Sequence, residues 1–218
     1  MLRQSTKAPL SAPAKPVVAI VDDDEGIRES LSSLFRSVDL DVVSFGSAAE
    51  LLEKPLPPLA GCLVLDVRLP GVSGLDFQDQ LAKLNVPLPI IFMTGHGDIP
   101  MSVRAMKAGA IDFLSKPFRD QDMLDAVMAA IERDATRRTE NAAKDDLKAH
   151  FETLTPRERE VLVHVTAGLM NKQIAHALGV SEITVKIHRG NVMRKMDARS
   201  LADLVRMAEA LELKLAQV

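Results

Sequence analysis

Three aspartates in this chain stand where apolar runs stop. Val17 to Val21 ends at Asp22 and Asp23, and Cys62 to Leu65 ends at Asp66. If both runs are strands of one parallel sheet, the three carboxylates gather at one edge. Such anions repel one another, raise one another's pKa and destabilise the fold until something neutralises them. A hard, oxygen-preferring divalent cation such as Mg²⁺ is the natural partner for that donor set. Thr94 and Lys116 follow two further apolar runs and add a hydroxyl and an ammonium to the same edge. A carboxylate flanked by a metal and an ammonium is suited to accept a phosphoryl group, because both cations offset charge on the transferring oxygens. Asp66 is the expected acceptor. Singly, each aspartate is better explained as an ordinary turn or helix cap; jointly, they point to chemistry.

The elements that must position these groups are readable from periodicity. Val17 to Val21 is too short for a helix, is rich in β-branched residues and reads as a buried strand. From Glu25 to Val38, the residues Ile27, Leu31, Leu34, Phe35 and Val38 recur at three- and four-residue steps, as on a helix covering a sheet. The alternation repeats in Val42 to Phe45 then Ala48 to Leu52, Cys62 to Leu65 then Leu75 to Leu84, Leu88 to Met93 then Met101 to Ala108, and Ile111 to Leu114 then Met123 to Ile131. Five such units predict an α/β fold with a five-stranded, doubly wound parallel sheet whose functional groups lie at the carboxyl ends of its strands. On this reading residues 1–15 are a flexible Pro- and Ser-containing arm and 16–131 are the α/β domain. Residues 132–150 hold five basic and five acidic side chains and no Gly or Pro, which predicts an exposed helical connector. A solvated spacer outweighs a regulatory coiled coil there.

At 218 residues the chain holds one large domain or two small ones. With 47% hydrophobic and 26% charged residues it is neither a disordered chain nor a collagen-like or disulfide-rich scaffold. No apolar stretch approaches the ~20 residues of a membrane span. The first fifteen residues lack the apolar core of a signal peptide, so a cytoplasmic location is expected. The single cysteine, Cys62, fits a reducing compartment and a buried packing role. Charge is uneven: residues 1–130 carry 12 basic and 17 acidic side chains, residues 151–199 carry 8 and 5. An acidic part followed by a basic one suggests two modules, the second with a polyanionic partner.

Residues 151–218 read as an all-α domain. Thr155-Pro156-Arg157-Glu158 is a helix start with a Thr cap, Pro at the first helical position and Glu158 placed to return a capping-box bond. Gly168 closes that helix, Asn171 to Leu178 makes a second, Gly179-Val180 is a tight turn, Ser181 caps a third reaching about Met196, and Ser200 starts a fourth. A helix, a short Gly-containing turn and a basic helix match the helix-turn-helix arrangement that binds DNA.

Val21-Asp22-Asp23-Asp24-Glu25, Leu65-Asp66-Val67-Arg68-Leu69-Pro70-Gly71, Met93-Thr94-Gly95-His96-Gly97-Asp98 and Ser115-Lys116-Pro117-Phe118 together resemble the receiver domain of two-component response regulators. Leu154-Thr155-Pro156-Arg157-Glu158-Arg159-Glu160, with Asn171-Lys172-Gln173-Ile174-Ala175 and Thr184-Val185-Lys186-Ile187-His188-Arg189, resembles the LuxR-type helix-turn-helix. Order and spacing are those of the NarL/FixJ group, and Gly-His-Gly-Asp-Ile-Pro with Arg104 to Ala110 is most similar to its FixJ/TodT/StyR branch. The resemblance implies a CheY-like receiver, a long helical linker and a DNA-binding domain.

It further implies phosphoryl transfer from a sensor histidine kinase to Asp66, with Asp22, Asp23, Asp66 and the Arg68 backbone carbonyl holding Mg²⁺. Thr94, Phe113 and Lys116 would form the switch, before a cis Lys116-Pro117 bond. The expected output is a homodimer formed through the helix at 98–108 and the strand at 111–114, followed by binding to double-stranded DNA and action on RNA polymerase. In the second module, Lys186, Arg189, Arg194 and Lys195 supply cations, and Thr184 and His188 supply hydrogen-bonding groups. Cations on phosphates give affinity, whereas side chains reaching base edges give specificity. Lys186 and Ile187 are expected to read bases, and Asn171, Lys172, Ser181 and Thr184 to meet phosphates. Gly190 departs from the expected surface, since a mid-helix Gly costs roughly 1 kcal/mol relative to Ala. No enzyme of the aspartyl-phosphate phosphatase kind is expected, because Arg68 stands two residues after Asp66 where an acid/base carboxylate would be needed. A phosphate-independent docking domain ranks low because every pocket residue is present. If residues 120–150 form one helix, the modules are held apart; a break near Lys148 would let the receiver cover the recognition helix. The residues slightly favour the former.

Overall fold

A computed structural model of the chain describes residues 15–54, 56–84, 86–95 and 99–213. The arm expected at 1–15 therefore lies, apart from Lys15, outside the described residues, as do His96 to Asp98. The chain divides into two compact units between Arg137 and Arg138.

In the first unit the apolar runs become β1 (Val17–Val21), β2 (Asp41–Phe45), β3 (Ala60–Asp66), β6 (Ile90–Thr94) and β7 (Asp112–Ser115), all parallel, in the order β2-β1-β3-β6-β7. Between β3 and β6 lie β4 (Arg68–Leu69) and β5 (Val72–Ser73), a small antiparallel pair around Pro70-Gly71. The helices are α1 (Glu25–Ser37), α2 (Ala48–Glu53), α3 (Gly74–Lys83), α4 (Ile99–Lys107) and α5 (Asp120–Glu152). Strand residues alternate between two cores, as the two-residue period of a strand requires. Ala19, Val21, Leu63, Leu65 and Phe92 pack on one face, while Val18, Ile20, Cys62, Val64, Ile91 and Met93 pack on the other. A sheet covered on both faces must be apolar throughout, and β1 and β3 are buried along their whole length. Burial pushes the Cys62 thiol up to about 12, with the charge of Asp134 adding to the effect.

The connector expected at 132–150 is the continuation of α5, and it is exposed in its first turn except at Asp134. Met123, Val127, Ala130 and Asp134 follow one another at steps of four, three and four, and all are buried. Asp134 is only 2% exposed and pairs with Arg137. The aspartate thus occupies an apolar-stripe position that hydrophobic periodicity cannot reveal.

The second unit contains the end of α5 and four helices, α6 (Pro156–Thr166), α7 (Asn171–Leu178), α8 (Glu182–Lys195) and α9 (Leu201–Ala210). Leu154, Val161, Leu162, Val165, Ile174, Val185, Val192, Met196 and Leu204 form its core, with Leu147 and Phe151 of α5 packed against it. The Thr155 capping box is formed, and Gly179 closes α7 at φ +64, the left-handed conformation a short inter-helix turn needs. Ser181 and Ser200 accept the backbone N–H groups of Thr184 and Asp203 and so start α8 and α9.

Candidate functional site

Strands β1 and β3 are neighbours, so their carboxyl ends deliver Asp22, Asp23 and Asp66 to one place. One carboxylate oxygen from each lies within 4.8 Å of the others. Asp22 and Asp66 are buried and Asp23 is exposed, which leaves the cluster open to solvent on one side. Lys116, brought alongside by β7, donates to Asp22 Oδ2 and Asp66 Oδ2 at 2.6 Å each. Its own backbone N–H donates to the Thr94 carbonyl at 2.7 Å, which fixes the lysine to the end of β6. The Lys116–Pro117 bond is cis.

Backbone groups occupy the remaining inner oxygens. Asp22 Oδ1 accepts from the N–H of Asp24, and Asp66 Oδ1 accepts from the N–H of Arg68, both at 2.9 Å. Arg28 Nη1 donates to the Asp22 carbonyl at 2.7 Å and ties α1 to the strand end. Burial raises the Asp22 carboxyl above the ordinary carboxylate value against the pull of Lys116 and the Asp24 N–H, and the charge of Asp66 adds to the rise. Burial favours neutral Lys116, but its two carboxylate partners outweigh that and hold its pKa above the ordinary lysine value.

Three carboxylates facing one ammonium leave two negative charges uncompensated when all are ionised. An all-oxygen donor set with that charge fits a hard divalent cation. Loop geometry supports the placement of Asp66. The N–H of Gly74 donates to the Val67 carbonyl at 2.8 Å, and a Cβ on Gly74 would stand 2.5 Å from the Asp66 carbonyl oxygen. Only glycine allows α3 to start this close to the acceptor strand.

Thr94 is fully buried at the end of β6. Phe113 lies one strand over, half-buried, with its ring 6.3 Å from that of Phe92 and tilted by 45°. Asp22, Asp23, Asp66, Lys116 and Thr94 therefore share one edge, while Phe113 lies two residues before the end of its strand.

In the second unit, Lys172, Lys186, Ile187 and Arg194 are exposed on α7 and α8. Ser181 caps α8, and its hydroxyl lies 2.9 Å from that of Thr184. Arg189 Nη1 donates to Asn171 Oδ1 at 3.2 Å and joins the starts of the two helices. Arg194 donates to Asn191 on its own helix. Two expected contacts are not presented outward. Lys195 Nζ donates to Glu158 Oε2 at 2.7 Å and to the Thr153 carbonyl at 3.0 Å, because the buried Glu158 carboxylate needs a cation. His188 is half-buried between the positions of Val185 and Val192, and its Nδ1 is buried without a partner. Burial disfavours charged Glu158, yet Lys195 and the Thr155 N–H and hydroxyl hold its pKa down at about 2. The sequence signal for Glu158 reached its capping role but not this ion pair.

Comparison with known proteins agrees with both sites. Residues 18–128 match the response regulator receiver domain, and residues 152–208 match the bacterial regulatory proteins of the luxR family. The chain is 63% identical over 200 residues to Nodulation protein W of Bradyrhizobium diazoefficiens, covering 92% of this chain and 88% of that one. It is 49% identical over 196 residues to the response regulator protein TodT of Pseudomonas putida, covering 90% and 86%. The solved structure of the response regulator StyR is similar at a TM-score of 0.82 and 51% identity, covering 90% of this chain and 99% of that one. With a carboxylate-and-lysine edge on a doubly wound sheet and a helix-turn-helix later in the sequence, the chain belongs to the two-component response regulators that join a receiver domain to a LuxR-type DNA-binding domain.

Proposed function

We propose that Asp66 accepts a phosphoryl group from a phosphohistidine of a sensor kinase, and that the modified receiver dimerises and strengthens sequence-specific DNA binding to control transcription. The carrying observation is the Lys116 ammonium held at 2.6 Å from both Asp22 and Asp66 beside a third, exposed carboxylate. In the transfer, an Asp66 oxygen bonds to phosphorus, and the phosphorus–nitrogen bond breaks with its electron pair left on the imidazole. Asp22, Asp23, Asp66 and the Arg68 carbonyl would hold Mg²⁺, which when bound offsets charge on the transferring oxygens. Lys116 then leaves one carboxylate to hold a phosphate oxygen, and Thr94 turns its hydroxyl to another. Phe113, half-buried beside Phe92, would change rotamer with it. These changes bias the surface formed by α4 and β7, where Ile99, Val103 and Met106 are exposed at spacings of four and three. An apolar helix stripe in water supports its use as the dimer contact.

For DNA, we assign phosphate contacts to Asn171, Lys172, Ser181, Thr184, Arg189 and Arg194 and base contacts to Lys186 and Ile187. Lys195 and His188 are assigned to holding α8 in place. The working division is a receiver at 16–131, a helical linker at 132–150 and a DNA-binding domain at 151–218. No helix among the described residues is long and apolar enough to cross a membrane. A cytoplasmic location, with RNA polymerase as a further partner, follows from the proposed output. The test is sedimentation of wild type and Asp66→Asn with Mg²⁺, each with and without acetyl phosphate, followed by DNA binding on the same samples. Dimerisation and tighter binding by wild type alone are expected; identical behaviour of the two proteins would remove the mechanism.

A further inference from the structure

A cleft lies between the last turns of α3 and α4 and the chain that leads into β6. It reaches Ile90, the first residue of β6, whereas Thr94, the last, belongs to the carboxylate edge. The cleft is therefore at the opposite edge of the sheet from Asp66. Its volume is about 420 Å³, and small-molecule sites run from roughly 300 to 1,000 Å³. Leu81, Val86, Pro87, Leu88 and Ile90 supply an apolar lining, and no residue of the wall is ionisable.

Gln78 is the one polar side chain in that wall, and it is 6% exposed. Its Nε2 donates to the Ala108 carbonyl at 3.1 Å, which sets the orientation of the amide and ties α3 to the end of α4. Its Oε1 is buried with no partner among the described residues. A buried acceptor without a donor is costly and calls for an explanation. The neighbouring backbone does not supply the donor. The N–H groups of Val86 and Leu88 donate to the carbonyls of Leu81 and Val86, those of Ala108 and Gly109 donate to Arg104 and Met106, and Pro87 has none. A role for Gln78 as a plain clamp explains its nitrogen but not its oxygen.

One external donor on an apolar, uncharged body complements this wall. A charged ligand would lose its water with nothing to pair against. Because the oxygen is covered, a donor reaches it only when the seam between α3 and α4 parts. Beyond Gln78 that seam is tied by Arg104 Nη2, which donates to Asp76 Oδ1 at 2.9 Å in an exposed pair, and such pairs hold weakly in water. Entry of a ligand and displacement of the end of α4 are therefore linked.

We infer that this cleft binds a small neutral molecule carrying one N–H or O–H donor on an apolar body, which donates to Gln78 Oε1 and moves the end of α4 as it enters. The site stands apart from the phosphorylation proposed above, and its test does not depend on that reading.

The test uses the full-length protein, isotopically labelled for amide NMR and titrated with indole, phenol and their methylated counterparts, N-methylindole and anisole, which carry no donor. Indole and phenol should shift the amide signals of Gln78, Leu88, Ala108 and Gly109 saturably, with Met106 and Lys107 of α4 shifting in step. The methylated probes should bind roughly five-fold more weakly, the worth of one hydrogen bond. Gln78→Met keeps the side-chain length without the acceptor and should bind each donor probe and its methylated counterpart equally. Ala82→Phe, at an exposed position on the rim, should abolish binding of every probe, and it decides the matter if Gln78→Met does not fold. Equal affinity of wild type for donor and methylated probes, or a donor preference that survives Gln78→Met, would overturn the inference. So would the absence of saturable shifts with both indole and phenol, or occupancy of the cleft that leaves Met106 and Lys107 unshifted. Shifts that persist in Ala82→Phe would place the probes elsewhere and overturn it as well.

Discussion

Lys116 bridges two buried carboxylates, and removing it should expose what it offsets. Lys116→Ala leaves Asp22 and Asp66 facing each other without an ammonium, and should cost about 2 kcal/mol, in the range of a charged hydrogen bond. Mg²⁺ should restore more stability to this variant than to wild type, because the cation supplies charge the lysine no longer gives. Equal melting shifts on adding Mg²⁺ to both proteins would contradict this. Glu158 provides a separate test. Its pKa falls from the ordinary 4.5 to about 2 on folding, so its contribution is complete above about pH 4.5 and is lost as pH drops through 2. Lys195→Met should flatten that acid limb for the second unit; an unchanged limb would show that the pair contributes nothing. The placement of the pocket aspartates, Thr94 and Lys116 on one edge was legible in sequence because each ends or follows a strand, and a parallel sheet collects strand ends. The inward roles of Lys195 and His188 were not, since they depend on a carboxylate from another helix and on the side of α8 that packs.

Helices here start where side chains satisfy free N–H groups. Thr155→Ala removes the hydroxyl that accepts the Glu158 N–H, while its own backbone N–H can still donate to Glu158, and should lower stability of the second unit by about 1 kcal/mol, measurable by urea unfolding. Gly74→Ala acts differently. Its Cβ would collide with the backbone of Asp66 and Val67, so the variant should lose phosphoryl uptake more than its change in stability explains. Retention of wild-type uptake would show that the start of α3 does not position Asp66. The long apolar-striped helices and the five parallel strands were readable because their periods persist for several residues. The β4–β5 pair was not, as two residues carry no period. Nor was the burial of Asp134 near the start of the connector, in line with Met123, Val127 and Ala130.

Two cores in the receiver and one in the DNA-binding domain build the chain as two units, each with a site of its own. Mg²⁺ with a phosphodonor should therefore raise the melting of the unit that holds Asp66, and this rise should be absent in Asp66→Asn. Composition and charge suggested the two modules, while their division between Arg137 and Arg138 falls inside one continuous helix and carries no mark in the sequence. The central claim is that Asp66 is the phosphoryl acceptor, and peptide mapping by mass spectrometry after exposure to acetyl phosphate and Mg²⁺ tests it most directly. One added phosphoryl group on the peptide containing Asp66, absent without Mg²⁺ and absent in Asp66→Asn, is the predicted result. Undiminished phosphoryl uptake by Asp66→Asn, or none by wild type under any of these conditions, would contradict it.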